Sequence, residues 1–356
     1  MKIHHIDILC CPMCKGDLQL SNGYSFDKNN DRVRNGFLSC VPCKKKYPIK
    51  KYIPSFLIEE VEYSDSFSEQ WIKFNKTQID SKNILESEIR FKSEISSFEN
   101  LKNKNILEIG SGAGRFLNVI SKKTSPKLIV GIDPSDAVYS SFESLKESEV
   151  DFLIAKCSVY NLPFKRSFDL VYSIGVLHHT PDPFLSFKCM TMTAKESARV
   201  AVSVYENSLY PRPNKNSIGV LFNEFLWSLN LLRVEIFRVF TTKIPFRLMF
   251  YYCKFFIPIL HKINRIPVIR FVRYLFPSTC YKNLPVEWSM VDTMDTYSTQ
   301  IVHQYRCKDI YNWFRTLQFS DISVMNSRAG WVSINGEVNN LVINRKEIKI
   351  PSPKPI

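Results

Sequence analysis

Four cysteines offer the first chemistry in this chain: Cys11 and Cys14 in "CPMC", and Cys40 and Cys43 in "CVPC". Two C-x2-C knuckles supply four thiolates to one tetrahedral metal, because each short turn brings two sulfurs and nearby N–H groups to a point. The 25 residues between the knuckles exceed the ~15–20 of the commonest pattern. One zinc ion is expected, structural in role because four thiolates leave no open position. Cys10 is the spare. A second constellation is Glu108, Gly110, Ser111, Gly112 and Gly114 in "ILEIGSGAGRF". The chain has only 11 glycines, and three of them fall within five residues. Glycines accept positive φ and let a ligand approach the backbone. A pyrophosphate sits on such loops in dinucleotide enzymes. Here a carboxylate shares the crevice, which disfavours phosphate and suits an ammonium group. Asp133, in "VGIDPS", stands at the end of the next apolar run. An acid there can accept hydrogen bonds from both hydroxyls of a ribose. Its alternative role, capping the following helix, falls equally well to Ser135 or Asp136. A third group is histidines. His178 and His179 in "GVLHHTPDP" follow a further apolar run, and His303 lies in "IVHQY". Each is a candidate general base for a hydroxyl nucleophile.

The elements that must position these residues follow an α/β rhythm over 101–206. "NILEI", "KLIVGID", "DFLIAKC", "FDLVYSI" and "ARVAVSVYE" read as strands, with amphipathic helices at "GRFLNVISKK" and "DAVYSSFESLKE". Apolar strands joined by such helices make a parallel sheet covered on both faces. Residues 1–60 form the cysteine unit, and 61–100 a helical linker or lid with a helix expected over 80–98. Residues 207–282 break the rhythm with aromatic and aliphatic helices. They carry twelve lysines and arginines against two acids, Glu224 and Glu235. This insertion reads as a cap over the site or as a face for a membrane surface. Residues 283–356 complete the sheet, with an amphipathic helix at "CKDIYNWFRTLQF" bearing Ile310, Trp313, Phe314 and Leu317, and strands near "DISVM" and "NNLVINR".

The chain is 356 residues long, 45% hydrophobic, with a formal charge of +14. That charge points to an anionic partner or to a solvated basic surface. Its first 20 residues lack the apolar stretch of a secretory signal, and no uncharged run reaches the ~18 residues of a membrane span. The expectation is a cytoplasmic protein with reduced cysteines, with peripheral contact at the inner face of the membrane through 207–282.

"ILEIGSGAGRF", "VGIDPS", "NLPF", "SFDLVYSIGVLHHTPDP" and "VAVSVYE" together resemble, in order, the class I S-adenosylmethionine-dependent methyltransferases. The likeness extends to a bacterial group with an N-terminal zinc ribbon, through "SFSEQWIKFNKTQIDS" and "DTMDTYSTQIVHQY". The resemblance implies an α/β, Rossmann-like sheet of seven strands whose last strand is antiparallel. It implies S-adenosylmethionine as cofactor beside the structural zinc. Glu108, Gly110, Ser111, Gly112 and Gly114 would line its methionine and ribose side, and Asp133 would hold the ribose. Pro134, Ser135, Ser158, Val159 and Gly175 complete the set, with Ser158 standing where the family often has an acid. "TAKESARVAV" also lacks the family's Pro-Gly-Gly turn. Glu69, Gln70, Trp71, Asp295 and Tyr297 would shape the acceptor pocket. The ribbon also resembles small zinc-ribbon partners of some RNA and protein methyltransferases.

The function expected is in-line methyl transfer, at oxygen, to a small-molecule acceptor: a sugar, a lipid-linked intermediate or another metabolite. The alternatives are an RNA methyltransferase whose ribbon and insertion hold phosphates, and a non-catalytic scaffold that keeps the fold. A deep pocket under 207–282 would favour the small acceptor, and a flat basic groove a polymer.

Overall fold

The computed structural model describes residues 1–29, 31–58, 70, 73–81, 83–207, 218–325 and 330–339. The N-terminal unit is a small antiparallel sheet. Its strands are β1 (Leu18–Leu20), β2 (Ser25–Asp27), β3 (Arg32–Cys40), β4 (Lys46–Lys50) and β5 (Ile53–Pro54). The order is β1-β3-β4-β5, with β2 also on β3. The two knuckles are built alike. Lys15 N–H donates to Cys11 O at 2.9 Å and Lys44 N–H to Cys40 O at 3.0 Å. Both lysines sit in the left-handed region, at φ 61° and 59°, which folds each turn back over its cysteines.

This unit lies along one edge of the main sheet. Leu9 bridges Phe164 and Ser55 bridges Lys156. Cys10 N–H donates to Pro163 O and Phe56 N–H to Lys156 O, both at 2.8 Å. The Arg32 guanidinium donates to Phe152 O at 3.1 Å and lies 3.9 Å from the centre of the Phe152 ring.

The chain then forms α1 (Glu86–Glu94), β6 (Asn105–Ile109), α2 (Arg115–Lys123), β7 (Leu128–Asp133), α3 (Ala137–Leu145), β8 (Phe152–Lys156), β9 (Phe168–Ile174), α4 (Pro183–Thr191) and β10 (Ala194–Tyr205). The helix expected over 80–98 is shorter than its pattern. Asp80 accepts from the N–H groups of Ser87 and Glu88, at 2.9 and 2.8 Å, so it caps α1 from outside. Phe91, Ile95 and Phe98 are buried as expected, but Ile89 faces solvent. β10 begins earlier than expected. Ala194 pairs with Phe168, the register shifts, and pairing resumes at Arg199. Ser197, at φ 57°, makes this bulge where the family turn is missing.

The insertion comprises α5 (Ile218–Thr241), α6 (Phe246–Phe255), α7 (Ile257–Ile263) and a 3-10 turn (Arg270–Leu275). α8 (Val286–Ser298), α9 (Cys307–Thr316), β11 (Ser320–Val324) and β12 (Trp331–Glu337) follow. α8 packs with the insertion: Met290, Val291, Met294 and Tyr297 share a core with Met249, Cys253, Ile257 and Leu260.

The main sheet has seven strands in the order β11-β12-β10-β9-β6-β7-β8. β12 is antiparallel to both β10 and β11, and the other pairs are parallel. The sevenfold sheet with its last strand reversed is therefore present. That strand is "WVSINGE"; "NNLVINR", apart from its first residue, lies outside the described residues. Gly336 disguises it in the sequence, yet only glycine fits, since a Cβ there would lie 2.9 Å from the Phe314 ring.

Candidate functional site

At the carboxyl end of β6 the chain turns under the end of β7. Gly110 and Ser111 N–H both donate to Ile132 O at 2.8 Å. Gly110 has φ +76°, and a Cβ there would come within 2.4 Å of Val176. Gly112 N–H donates to Asp133 Oδ2 at 3.0 Å. Asp133 Oδ1 accepts from Ser135 N–H and Oγ at 2.9 and 2.6 Å. The acid thus clamps the glycine turn while Oδ2 keeps a lone pair for a ligand.

The turn opens into a cavity of about 1350 Å³. Glu108, Gly110, Ser111, Gly112, Asp133, Pro134, Val159 and Gly175, all expected from sequence, line it. Gly114 and Ser158 do not. A Cβ on Gly114 would lie 2.5 Å from Ser144 Oγ, so this glycine lets α2 approach α3. Ser158 Oγ accepts from Tyr160 N–H at 3.3 Å and caps a single turn. Ser135 is likewise spent on Asp133. The lining fits a sulfonium nucleoside bearing an amino acid. Glu108 Oε2 and Ser111 Oγ are buried without a hydrogen-bond partner. Burial raises the Glu108 carboxyl well above the usual carboxylate range, against the pull of Tyr172 and Arg115. An incoming ammonium group would satisfy it. Burial raises Asp133 too, opposed by its three hydrogen bonds and Lys156.

The other end of the cavity is made of side chains. His179 lines it, and its Nδ1–H donates to Ile301 O at 2.9 Å. That bond assigns the tautomer in which Nε2 bears the lone pair. Burial lowers its pKa below the ordinary histidine value, with Asp295 pulling the other way. Tyr205 donates to Asp295 Oδ2 at 2.9 Å, and both line the cavity. His178 and His303 are not in the lining. His178 is fully buried, with its ring centre 4.0 Å from that of Tyr205 and 4.1 Å from that of His179. Its burial favours the neutral ring, and it packs. His303 contributes its peptide N–H to His178 O at 2.9 Å. Of the three histidines, then, the structure brings only His179 to the site. Gln70 and Asp295 line the cavity as expected. Tyr297 is buried in the insertion's core, where its hydroxyl accepts from Arg233 at 2.9 Å. Glu69 and Trp71 lie outside the described residues.

Sequence reasoning missed a hydrogen-bonded chain along the wall. Arg115 donates to Gln78 Oε1, and Gln78 Nε2 to Asp292 Oδ1, both at 3.0 Å. The Tyr281 hydroxyl donates to Asp292 Oδ2. Arg90 was missed too. It pairs with Glu94 at 3.0 Å and its guanidinium lies 3.8 Å from the centre of the Trp331 ring. A signal was present: Asp292 and Asp295 are three apart on α8 and share a face.

In the N-terminal unit, the Sγ atoms of Cys11, Cys14, Cys40 and Cys43 all lie within 4.8 Å of one another. Cys11 and Cys43 are 3.7 Å apart and Cys14 and Cys40 3.3 Å. A tetrahedral zinc with ~2.3 Å bonds needs sulfurs ~3.8 Å apart, so the cluster fits the ion. Tyr47 lies 3.0 Å from Cys11 Sγ and can donate to a thiolate there.

Known proteins agree with this architecture. Residues 2–51 match the family described as Trm112p-like protein, and residues 107–202 the methyltransferase domain family. The chain is 32% identical over 93 residues to a tRNA U34 carboxymethyltransferase of Nautilia profundicola, covering 25% of this chain and 30% of the relative. It is 23% identical over 204 residues to one of Aliarcobacter butzleri, covering 56% and 65%. It therefore spans less than two thirds of either relative. A solved SAM-dependent methyltransferase from Aquifex aeolicus aligns over 73% of this chain and 94% of its own, at 11% identity and a TM-score of 0.38, too loose a likeness to inform the site. The chain thus carries a methyltransferase domain over residues 107–202 and a Trm112p-like unit over residues 2–51. The expected small-molecule acceptor is corrected by these relatives, which are named for tRNA. Among the described residues no helix is long and apolar enough to cross a membrane.

Proposed function

We propose that this chain modifies a nucleotide of tRNA, which enters the cavity extruded from its neighbours. The observation that carries the reading is one continuous cavity, with the glycine turn at one end and His179, Tyr205 and Asp295 at the other. Such a site admits one base at a time, and an unstacked nucleotide is the form in which nucleic-acid enzymes reach a buried atom. The chain's charge of +14 suits a phosphate backbone. When bound, S-adenosylmethionine supplies an electrophilic carbon on a sulfonium whose departure as a thioether needs no acid. Glu108 would hold its ammonium group and Asp133 its ribose. Pro134 and Val159 would flank the adenine. In this reading His179 Nε2 would receive a proton from the acceptor, and Tyr205 with Asp295 would orient it.

The test is transfer from labelled S-adenosylmethionine to tRNA, followed by mass analysis of the nucleosides. Label in one tRNA nucleoside is expected, and the mass gained tells a methyl from a carboxymethyl group. Label appearing only in small hydroxylated metabolites would sink the reading. A second reading, contact of the insertion with a membrane surface, concerns a different face and is favoured by the apolar side chains exposed there.

A further inference from the structure

The insertion is built inside out. On α5 the arginines point into the protein: Arg238 donates to the carbonyls of Thr296 and Thr299 at the end of α8, at 2.6 and 2.8 Å. Arg233 donates to Phe276 O and to the Tyr297 hydroxyl, at 2.8 and 2.9 Å. The outward face of the same helix is Leu232, Ile236, Val239 and Phe240, with Phe240 68% exposed. α6 repeats the arrangement. Met249 and Cys253 face α8, while Leu248 and Phe255 are 60% and 63% exposed, and the ring of Tyr251 stacks on Phe255. Val268, beyond α7, is 81% exposed. Around these apolar side chains stand Lys243, Arg247, Lys254, Lys262 and Arg265, all exposed. Residues 229–282 hold ten lysines and arginines and one acid, Glu235.

We infer that this face docks on the surface of an anionic lipid bilayer. Two properties have to be met at once, and a bilayer surface meets both: acyl chains take the aromatic and aliphatic side chains, and headgroup phosphates take the cations. A second copy of the chain would bring two faces of the same strong positive charge together. A nucleic acid would satisfy the lysines and leave the aliphatic side chains in water. Among the described residues no helix is long and apolar enough to cross, which makes the attachment peripheral and reversible.

The experiment is co-sedimentation of the full chain with vesicles of phosphatidylcholine alone or with phosphatidylglycerol added, at low and high salt. Binding is expected to rise about tenfold or more with the anionic lipid and to weaken with salt. Leu248→Glu with Phe255→Glu should abolish it while cofactor affinity and thermal unfolding stay unchanged, since neither residue lines the cavity. Lys254→Glu with Lys262→Glu should remove the preference for anionic lipid. Absence of vesicle binding, or binding that survives the apolar substitutions, overturns the inference. So does a dimer that Phe255→Glu dissociates, which gives the face to a second copy. Loss of tRNA binding by the same variants, without any vesicle binding, gives it to RNA.

Discussion

The donor end of the cavity is made of backbone, and the acceptor end of side chains from distant parts of the chain. At the donor end, residues 108–112 and Asp133 are locked by peptide hydrogen bonds to Ile132 O and to the Asp133 carboxylate. At the acceptor end, Arg90, His179, Tyr205, Asp292, Asp295 and Trp331 come from five different elements or loops. Backbone tolerates little change at the donor end, because a shift in one peptide moves the ligand. Side chains at the acceptor end can be exchanged one at a time. The fold thus keeps its donor fixed and leaves its acceptor open to change, in line with sites grafted on a common scaffold.

The largest effect should come from the donor end. Gly110→Ala places a Cβ against Val176 at positive φ, and Asp133→Ala frees the turn and removes the ribose acceptor. Each should weaken S-adenosylmethionine binding about a hundredfold or more, by calorimetry. If either binds normally in a folded protein, the backbone account of this end is wrong. At the acceptor end, His179→Asn should lower turnover about 10²–10⁴-fold and leave cofactor affinity unchanged. Because burial lowers its pKa, His179 stays neutral as pH falls through the ordinary histidine range. The wild-type rate should therefore hold across that range and decline only below it; a decline centred on the free-histidine value argues for another base. Tyr205→Phe should cost less, about tenfold in turnover, and any effect on cofactor affinity would blur the division between the two ends.

A smaller signal reports on Glu108. Its raised pKa means that it is held protonated more readily than a free carboxyl. An ammonium ligand reverses that preference, so cofactor binding should release a fraction of a proton, seen as a buffer-dependent binding enthalpy. Glu108→Gln should remove the release. The smallest change is expected of Ser158→Ala, within about 1 kcal/mol of stability for a lost cap and with cofactor affinity intact, since Ser158 lies off the cavity.

The same contrast explains which parts of the site are legible in the sequence. The turn and Asp133 lie within 26 residues, and their spacing reflects one strand–turn–helix unit and the next strand. The four thiolates were equally legible, because each pair is local and one antiparallel register, Leu18 opposite Cys40, brings the knuckles together. Gly114 was read as a ligand contact because a glycine needed for helix packing looks the same in a string of letters. His178 and His179 could not be told apart by position; which ring faces the cavity depends on Ile301, 122 residues away. Arg90 was hidden in a polar stretch that reads as a linker, because the aromatic partner that earns its burial, Trp331, sits in the last strand. The strand at Trp331–Glu337 was not legible because a packing glycine at 336 looks like a breaker.

β8 is the terminal strand of the main sheet, and its outward carbonyls at Phe152 and Lys156 are taken by Arg32 and Phe56. An uncovered strand at that position is a template on which other chains can assemble. The ribbon's position gives the four thiolates a second consequence besides local order. With zinc on the four thiolates, loss of the metal would loosen the cover and expose a pairing edge, and self-association would then be expected even with the cofactor turn intact.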